Sequence, residues 1–293
     1  MDDSRLRLAP APVPLLPGPF TPTEAAAAGL GRAALDRAVR RGSVVRLLRG
    51  VYLEASQPCT PDVRAAAVAL AVGARQVVVG RTAAWLLGAS AAALVDPTDP
   101  AEVLPTEVHA RSRDTTRRRF RPGEVVTLGG VRCTSAVRTA TDLGRRPGEE
   151  VALAALEGLL RAGALRHREL MWAVESCADL PGAAQLRELA ARSDGRADGA
   201  AESVLRMRWL QARLPTPCVA FPVAGRRLAL ALPTHRFGAV LAGRLEPADR
   251  GALAARGWRV LLLDPHRVLA SEPEHLVTHL EREFHQHLLS QVG

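Results

Sequence analysis

The strongest constraint on the fold lies between Thr21 and Leu53, where two short helix patterns run straight into a hairpin signal. Thr21-Pro22-Thr23-Glu24 reads as a capping box with proline at the first helical position. A short helix continues through Ala25 to Ala28 and stops at Gly29. A second helix is predicted from about Gly31 to Arg41, ending at Gly42. Val44 to Leu48, a turn at Arg49-Gly50, and Val51-Tyr52-Leu53 then read as a β-hairpin. Two helices and a hairpin in so short a span have few ways to bury their apolar side chains. The outline is that of a winged helix-turn-helix.

The second helix sorts its residues by face. Leu35, Ala38 and Val39 share one side at i, i+3 and i+4 spacing. Arg32, Asp36 and Arg40 share another, with Arg37 and Arg41 beside them. A helix in the major groove needs an apolar back and guanidiniums aimed at phosphates and guanine edges. On this reading Arg32, Arg37, Arg40 and Arg41 are DNA contacts, and Arg46 and Arg49 lie on the wing. The alternative is a solvated basic helix face beside a structural hairpin.

Charge carries information only where it clusters. The 293 residues include 39 basic and 30 acidic side chains, a formal charge of +9. A sequence pI near 10.9 points towards a polyanion. The chain has no Lys, Ile or Asn, the mark of a GC-rich genome, so every basic residue is Arg; this raises the pI without changing the charge. Six arginines against one aspartate fall within 31–50, a net of +5. The same holds for 111–121, with Arg111, Arg113, Arg117, Arg118, Arg119 and Arg121, so the remaining chain is close to neutral. This second run fits the backbone of a duplex lying beside the winged helix. An acidic partner protein explains it equally well.

The rest of the chain reads as mixed α/β. Hydrophobic residues make up 47%, enough for a real core, which excludes wholesale disorder. Residues 1–19 are Pro-rich, and 20–56 hold the winged helix. A middle region, 57–192, is mostly helical, with helices near 61–73, 81–88, 135–145, 148–162, 166–177 and 181–192. It carries a hairpin over 124–134 with Gly129-Gly130 at the turn. Ser193 to Gly199 is the best linker candidate. A third domain, 200–293, opens on a helix and continues with strands at 217–224, 227–232, 237–242 and 258–263, a helix near 247–256 and a last helix over 273–290. No apolar run approaches the ~20 residues of a membrane helix. The Pro-broken start lacks the basic, unbroken apolar character of a secretory signal, so a cytoplasmic location is expected.

Phe20 to Ala55 (FTPTEAAAAGLGRAALDRAVRRGSVVRLLRGVYLEA) resembles the N-terminal winged-helix domain of AbiEi-like antitoxins of type IV toxin–antitoxin, abortive-infection systems. GRTAAWLLG at 80–88 and GVRCTSAVRTATDLGRR at 130–146 resemble the middle region of the same bacterial proteins. The C-terminal third, with its ARGWRVLLL strand at 255–263, is similar to the very-short-patch-repair-endonuclease-like domain that often follows, a PD-(D/E)XK nuclease fold. The resemblance implies a DNA-binding, often autoregulatory, first domain. It also implies a test, because a nuclease of this fold gathers carboxylates around one or two divalent metals. Glu202 matches the helix position. Ala229 stands at the Asp position, Val240 at the Glu position and Ala242 at the second polar position. Alanine and valine cannot ligate a hard cation, so the expectation is a retained fold without nuclease chemistry, and no enzyme.

Other constellations add little. His275, His279 and Glu283 are spaced for one helix face but lack a zincin glutamate, so a solvated edge is expected rather than a metal site. Cys59, Cys133, Cys177 and Cys218 form no CxxC pair. Gly29-Leu30-Gly31 follows a helix, which excludes a dinucleotide loop. Neither a GxSxG elbow nor a P-loop occurs, and aromatics are only 3%. No cofactor and no metal are expected. The reading is a regulator of double-stranded DNA, with a C-terminal module that binds a partner protein or a second copy of the chain and with no membrane association. The alternatives are an antitoxin acting mainly by contact with a nucleotidyltransferase-like toxin, and an endonuclease with relocated carboxylates, Glu202 with Glu246 or Asp249.

Overall fold

The computed structural model describes residues 16–73, 76–89, 103–105, 120–270 and 272–292. Helix α1 (Pro22–Ala27) starts on the expected capping box: the Thr21 hydroxyl accepts from the Glu24 N–H at 3.3 Å, and the Glu24 carboxylate accepts from the Thr21 N–H at 2.7 Å. Gly29 closes the helix at φ +87°, where an L side chain would be strained. The Leu30 N–H then reaches back to the Ala25 carbonyl at 2.8 Å, and the chain turns into α2 (Arg32–Arg40). Strands β1 (Val44–Leu48) and β2 (Val51–Glu54) pair antiparallel, with Arg46 opposite Tyr52. Phe20 bridges Tyr52 through two backbone hydrogen bonds of 2.9 Å. Phe20, Ala25, Leu30, Leu35, Ala38, Val44 and Tyr52 form the core of this unit.

The underside of the hairpin belongs to a second core. Leu48 and Val51 pack with Ala65, Val68, Trp85 and Cys133. These come from α3 (Pro61–Ala71), α4 (Gly80–Leu86) and strand β6 (Val131–Thr134). The winged helix is therefore one wall of the middle region rather than a head on a tether. Strands β3 (Gln76–Val78), β4 (Val103–Pro105) and β5 (Val125–Leu128) join β6 in a sheet ordered β4-β3-β6-β5, with β3 parallel to β6. The Gly129-Gly130 turn meets α3 so closely that a Cβ on Gly129 would stand 2.5 Å from that of Ala65. Helices α5 (Ala136–Gly144), α6 (Glu149–Arg161), α7 (His167–Glu175) and α8 (Ala183–Arg192) pack around Leu153, Leu156, Leu159, Leu170 and Leu186.

The last unit runs α9 (Ala200–Gln211), β7 (Cys218–Val223), β8 (Arg226–Leu232), β9 (Phe237–Leu241), α10 (Pro247–Ala254), β10 (Arg259–Leu263), α11 (Pro265–Ala270) and α12 (Pro273–Val292). Its sheet is ordered β10-β9-β8-β7; β10 lies parallel to β9, and the other neighbours are antiparallel. Helix α9 is buried on nearly every side. Val204, Leu205 and Trp209 face this unit's core, whereas Met207 enters the core of the middle region. Among the described residues no helix is long and apolar enough to cross a membrane.

The segment 193–199, expected as a linker, is an ordered joint. Ser193 and Ala197 are buried. The Asp194 N–H donates to the Glu157 carboxylate at 2.9 Å, and Arg161 donates to the Ala197 carbonyl at 2.8 Å. Ser, Asp and Gly make turns as readily as tethers, and here α6 supplies partners for the turn's backbone.

Candidate nucleic-acid interface

Leu35 and Ala38 turn α2 inward, so the opposite face must look outward. Arg32, Arg37, Arg40 and Arg41 are all exposed, with Asp36 among them. None of the four arginines is in an ion pair among the described residues. Their charge is therefore not already neutralised by a carboxylate of the described chain. Arg49 projects from the hairpin turn and is exposed as well.

Arg46 is held differently. One Nη donates to the Tyr52 hydroxyl at 3.2 Å, and the guanidinium carbon lies 5.3 Å from the centre of the Tyr52 ring. The side chain is half-buried and spends part of its donor set on the hairpin itself. Tyr52 was not singled out in the sequence, yet the hairpin register places it directly across from Arg46. Arg111, Arg113, Arg117, Arg118 and Arg119 lie outside the described residues. Arg121 is exposed, and its backbone N–H donates to Glu124 at 2.8 Å. Glu124 in turn takes a 2.5 Å bond from Arg138, which also binds Asp142 at 2.9 Å. This cluster, which periodicity does not reveal, fixes the start of β5 against α5.

The positions expected for nuclease chemistry lie in the last unit. Glu202 is 1% exposed, and each of its oxygens accepts from an Nη of Arg227 at 2.8 Å. One oxygen also accepts from the Asp198 N–H at 2.7 Å. Ala229 and Val240 are buried in β8 and β9, and Ala242 is exposed beyond β9. Of the relocated candidates, Glu246 caps α10, and its N–H donates to Asp249 at 3.2 Å. Asp249 is paired with Arg226 at 2.8 Å. Arg259 of β10 donates to Glu283 of α12 and holds its carboxyl below the usual range, while His279 of α12 stands 3.9 Å away. Among the described residues no three His, Cys, Asp or Glu side chains converge as a metal site.

Residues 15–55 match the family model described as a transcriptional regulator, AbiEi antitoxin. Residues 76–191 match the model of the AbiEi antitoxin C-terminal domain. Two proteins from different strains of Mycobacterium tuberculosis, both described as uncharacterized, are 31% identical to this chain over 223 residues, covering 71% of this chain and 77% of theirs. No solved structure matches.

Proposed function

The chain belongs to the AbiEi antitoxin family, and from that membership we propose that it is a transcriptional regulator reading duplex DNA through α2. The observation that carries the reading is the set of exposed arginines on α2, opposite buried Leu35 and Ala38. In the major groove these guanidiniums meet phosphates and the O6 and N7 acceptors of guanine. Arg49 reaches the backbone beside the groove. Arg121, which is exposed, and the arginines at 111–119 belong to the same proposal. Arg46 serves the hairpin first and the DNA second.

The C-terminal unit is read as a non-catalytic module with an αβββαβ order of elements that supports the likeness to a nuclease fold. The bidentate contact from Arg227 places a fixed cation against Glu202, the one carboxylate of the pattern that this chain retains. An antitoxin that acts by touching a toxin is the second reading, favoured by the incompletely covered face of the C-terminal sheet at Phe221, Val223, Trp258 and Val260.

The test is a gel shift on the DNA upstream of the gene, repeated across salt concentrations. Replacing Arg37, Arg40 and Arg41 by Ala is expected to weaken binding and to reduce the salt slope by roughly 2 to 3. Arg49→Ala is expected to weaken binding more than Arg46→Ala. Unchanged affinity in the triple variant would sink the proposal.

A further inference from the structure

We infer that the α10 face of the C-terminal sheet docks a segment of another protein, one with a large apolar anchor flanked by carboxylates. The inference rests on reading this unit as a partner-binding module and names the surface and the chemistry involved.

The two faces of the sheet are covered unequally. Leu230, Leu232, Phe237, Ala239 and Leu241 lie under α9, α11 and α12, in a core that includes Trp209, Val268, Leu280 and Phe284. Among the described residues the other face carries only the eight residues of α10, a helix about 10–12 Å across with its side chains. Four strands spaced about 4.8 Å apart span roughly 14 Å between their outer axes, before side chains are added. The helix buries Leu228, Ala231, Val240 and Leu253 but leaves Phe221, Val223, Trp258 and Val260 partly exposed.

Between α10 and β10 this face is hollowed into a groove of about 310 Å³, lined by Pro247, Arg250, Gly251, Ala254, Trp258 and Val260. Its volume suits one large side chain and the backbone beside it. The Trp258 ring is backed by Phe221, with ring centres 5.8 Å apart, so the floor is firm and apolar.

Charge selects the occupant. Arg250 lines the groove, is exposed, and is in no ion pair among the described residues. Asp249 of α10 is already engaged by Arg226. A second copy docking symmetrically would bring its own Arg250 to this face, which disfavours self-association. A duplex would find one cation beside an apolar floor rather than a row of phosphate contacts. A carboxylate-flanked apolar anchor satisfies both the floor and the rim.

The experiment is a selection of random displayed peptides on the full-length protein, counterselected on the Ala254→Arg variant. Enriched peptides are expected to carry Trp, Phe or Leu between Asp or Glu residues. Titrated as fluorescent peptides, they are expected to lose at least about tenfold in affinity on Arg250→Glu and on Trp258→Ala. Arg250 and Ala254 are exposed, so those two variants should melt like the parent protein and keep its DNA affinity. No enrichment over the counterselection, enrichment without carboxylates, or affinity indifferent to Arg250→Glu overturns the inference. So does a loss of DNA affinity in the groove variants, which would assign the face to nucleic acid. Because the DNA contacts proposed on α2 lie elsewhere, failure of the gel-shift test leaves this result standing, and the reverse also holds.

Discussion

Arg206 on α9 and Glu157 on α6 form an ion pair in which the side chains are 6% and 0% exposed. It joins the middle region to the C-terminal unit, with Arg208 and Glu150 forming a second pair beside it. Burial pushes the Arg206 guanidinium down to about 10, still far above neutral pH, so the guanidinium keeps its charge under ordinary conditions. The same Glu157 oxygen receives the Asp194 N–H, so one carboxylate organises both the interface and the joint.

Removing one partner strands the other's charge in a buried interface. Arg206→Leu or Glu157→Leu alone is expected to destabilise the protein by about 3–5 kcal/mol. The double replacement is expected to recover part of that loss, because two apolar side chains need no hydration while the Asp194 N–H still loses its Glu157 acceptor. Urea denaturation of the three variants measures this; equal losses in the single and double variants would contradict it.

The hairpin that carries Arg49 also roofs the middle core, so its stability cannot be local. Leu48 is fully buried against residues of α3, α4 and β6. Leu48→Ala is expected to cost about 2–5 kcal/mol and to lower the melting of the middle region as well as of the winged helix. A fragment ending at residue 56 exposes Leu48 and Val51 and is expected to fold poorly alone. Hydrogen exchange, read separately on α2 and on α6, distinguishes coupled from local loss.

What the sequence disclosed follows from the range of each interaction. The capping box of Thr21 and Glu24 and the turn at Gly50 are settled by neighbours, so α1 and the hairpin were legible residue by residue. The outward arginines of α2 followed from periodicity. The partners of Arg206 and Arg208 lie 49 and 58 residues away, and no local pattern selects Glu157 or Glu150. For the same reason the sequence marks 193–199 only as a linker candidate, since the donors and acceptors that order it sit on α6. Arg46 read as a free wing cation because its aromatic partner appears only once the register sets Tyr52 opposite it.

Glu202 offers a direct check on the non-catalytic reading. Both of its oxygens are occupied by Arg227, with a backbone N–H on one of them. Millimolar Mg²⁺ or Mn²⁺ is therefore expected to leave the melting temperature unchanged, since a ligand stabilises only what it binds. Glu202→Gln is expected to destabilise the unit by about 1–3 kcal/mol, below the value for a fully buried pair because Arg227 is 37% exposed. A metal-dependent rise in melting temperature that disappears in Glu202→Gln would instead mark a working site.

Glu283 sets a pH dependence whose sign can be worked out. The Arg259 guanidinium, followed by the charge of His279 and a hydrogen bond from Arg282, holds its carboxyl below the ordinary value of 4.5 against the opposing effect of burial. In the unfolded chain that environment is lost, so at intermediate pH the unfolded state binds more protons than the folded state. The contribution of Glu283 is therefore fully present above about pH 4.5 and is lost as the pH falls through the lower folded value. Arg259 is 40% exposed, so solvent screens the pair and the effect is modest, about 1 kcal/mol or less. Urea denaturation of the parent and Glu283→Gln proteins should show a constant gap from pH 7 to pH 5 that narrows below about 4.5. A gap that widens in acid would mean that Glu283 is held in its neutral form instead.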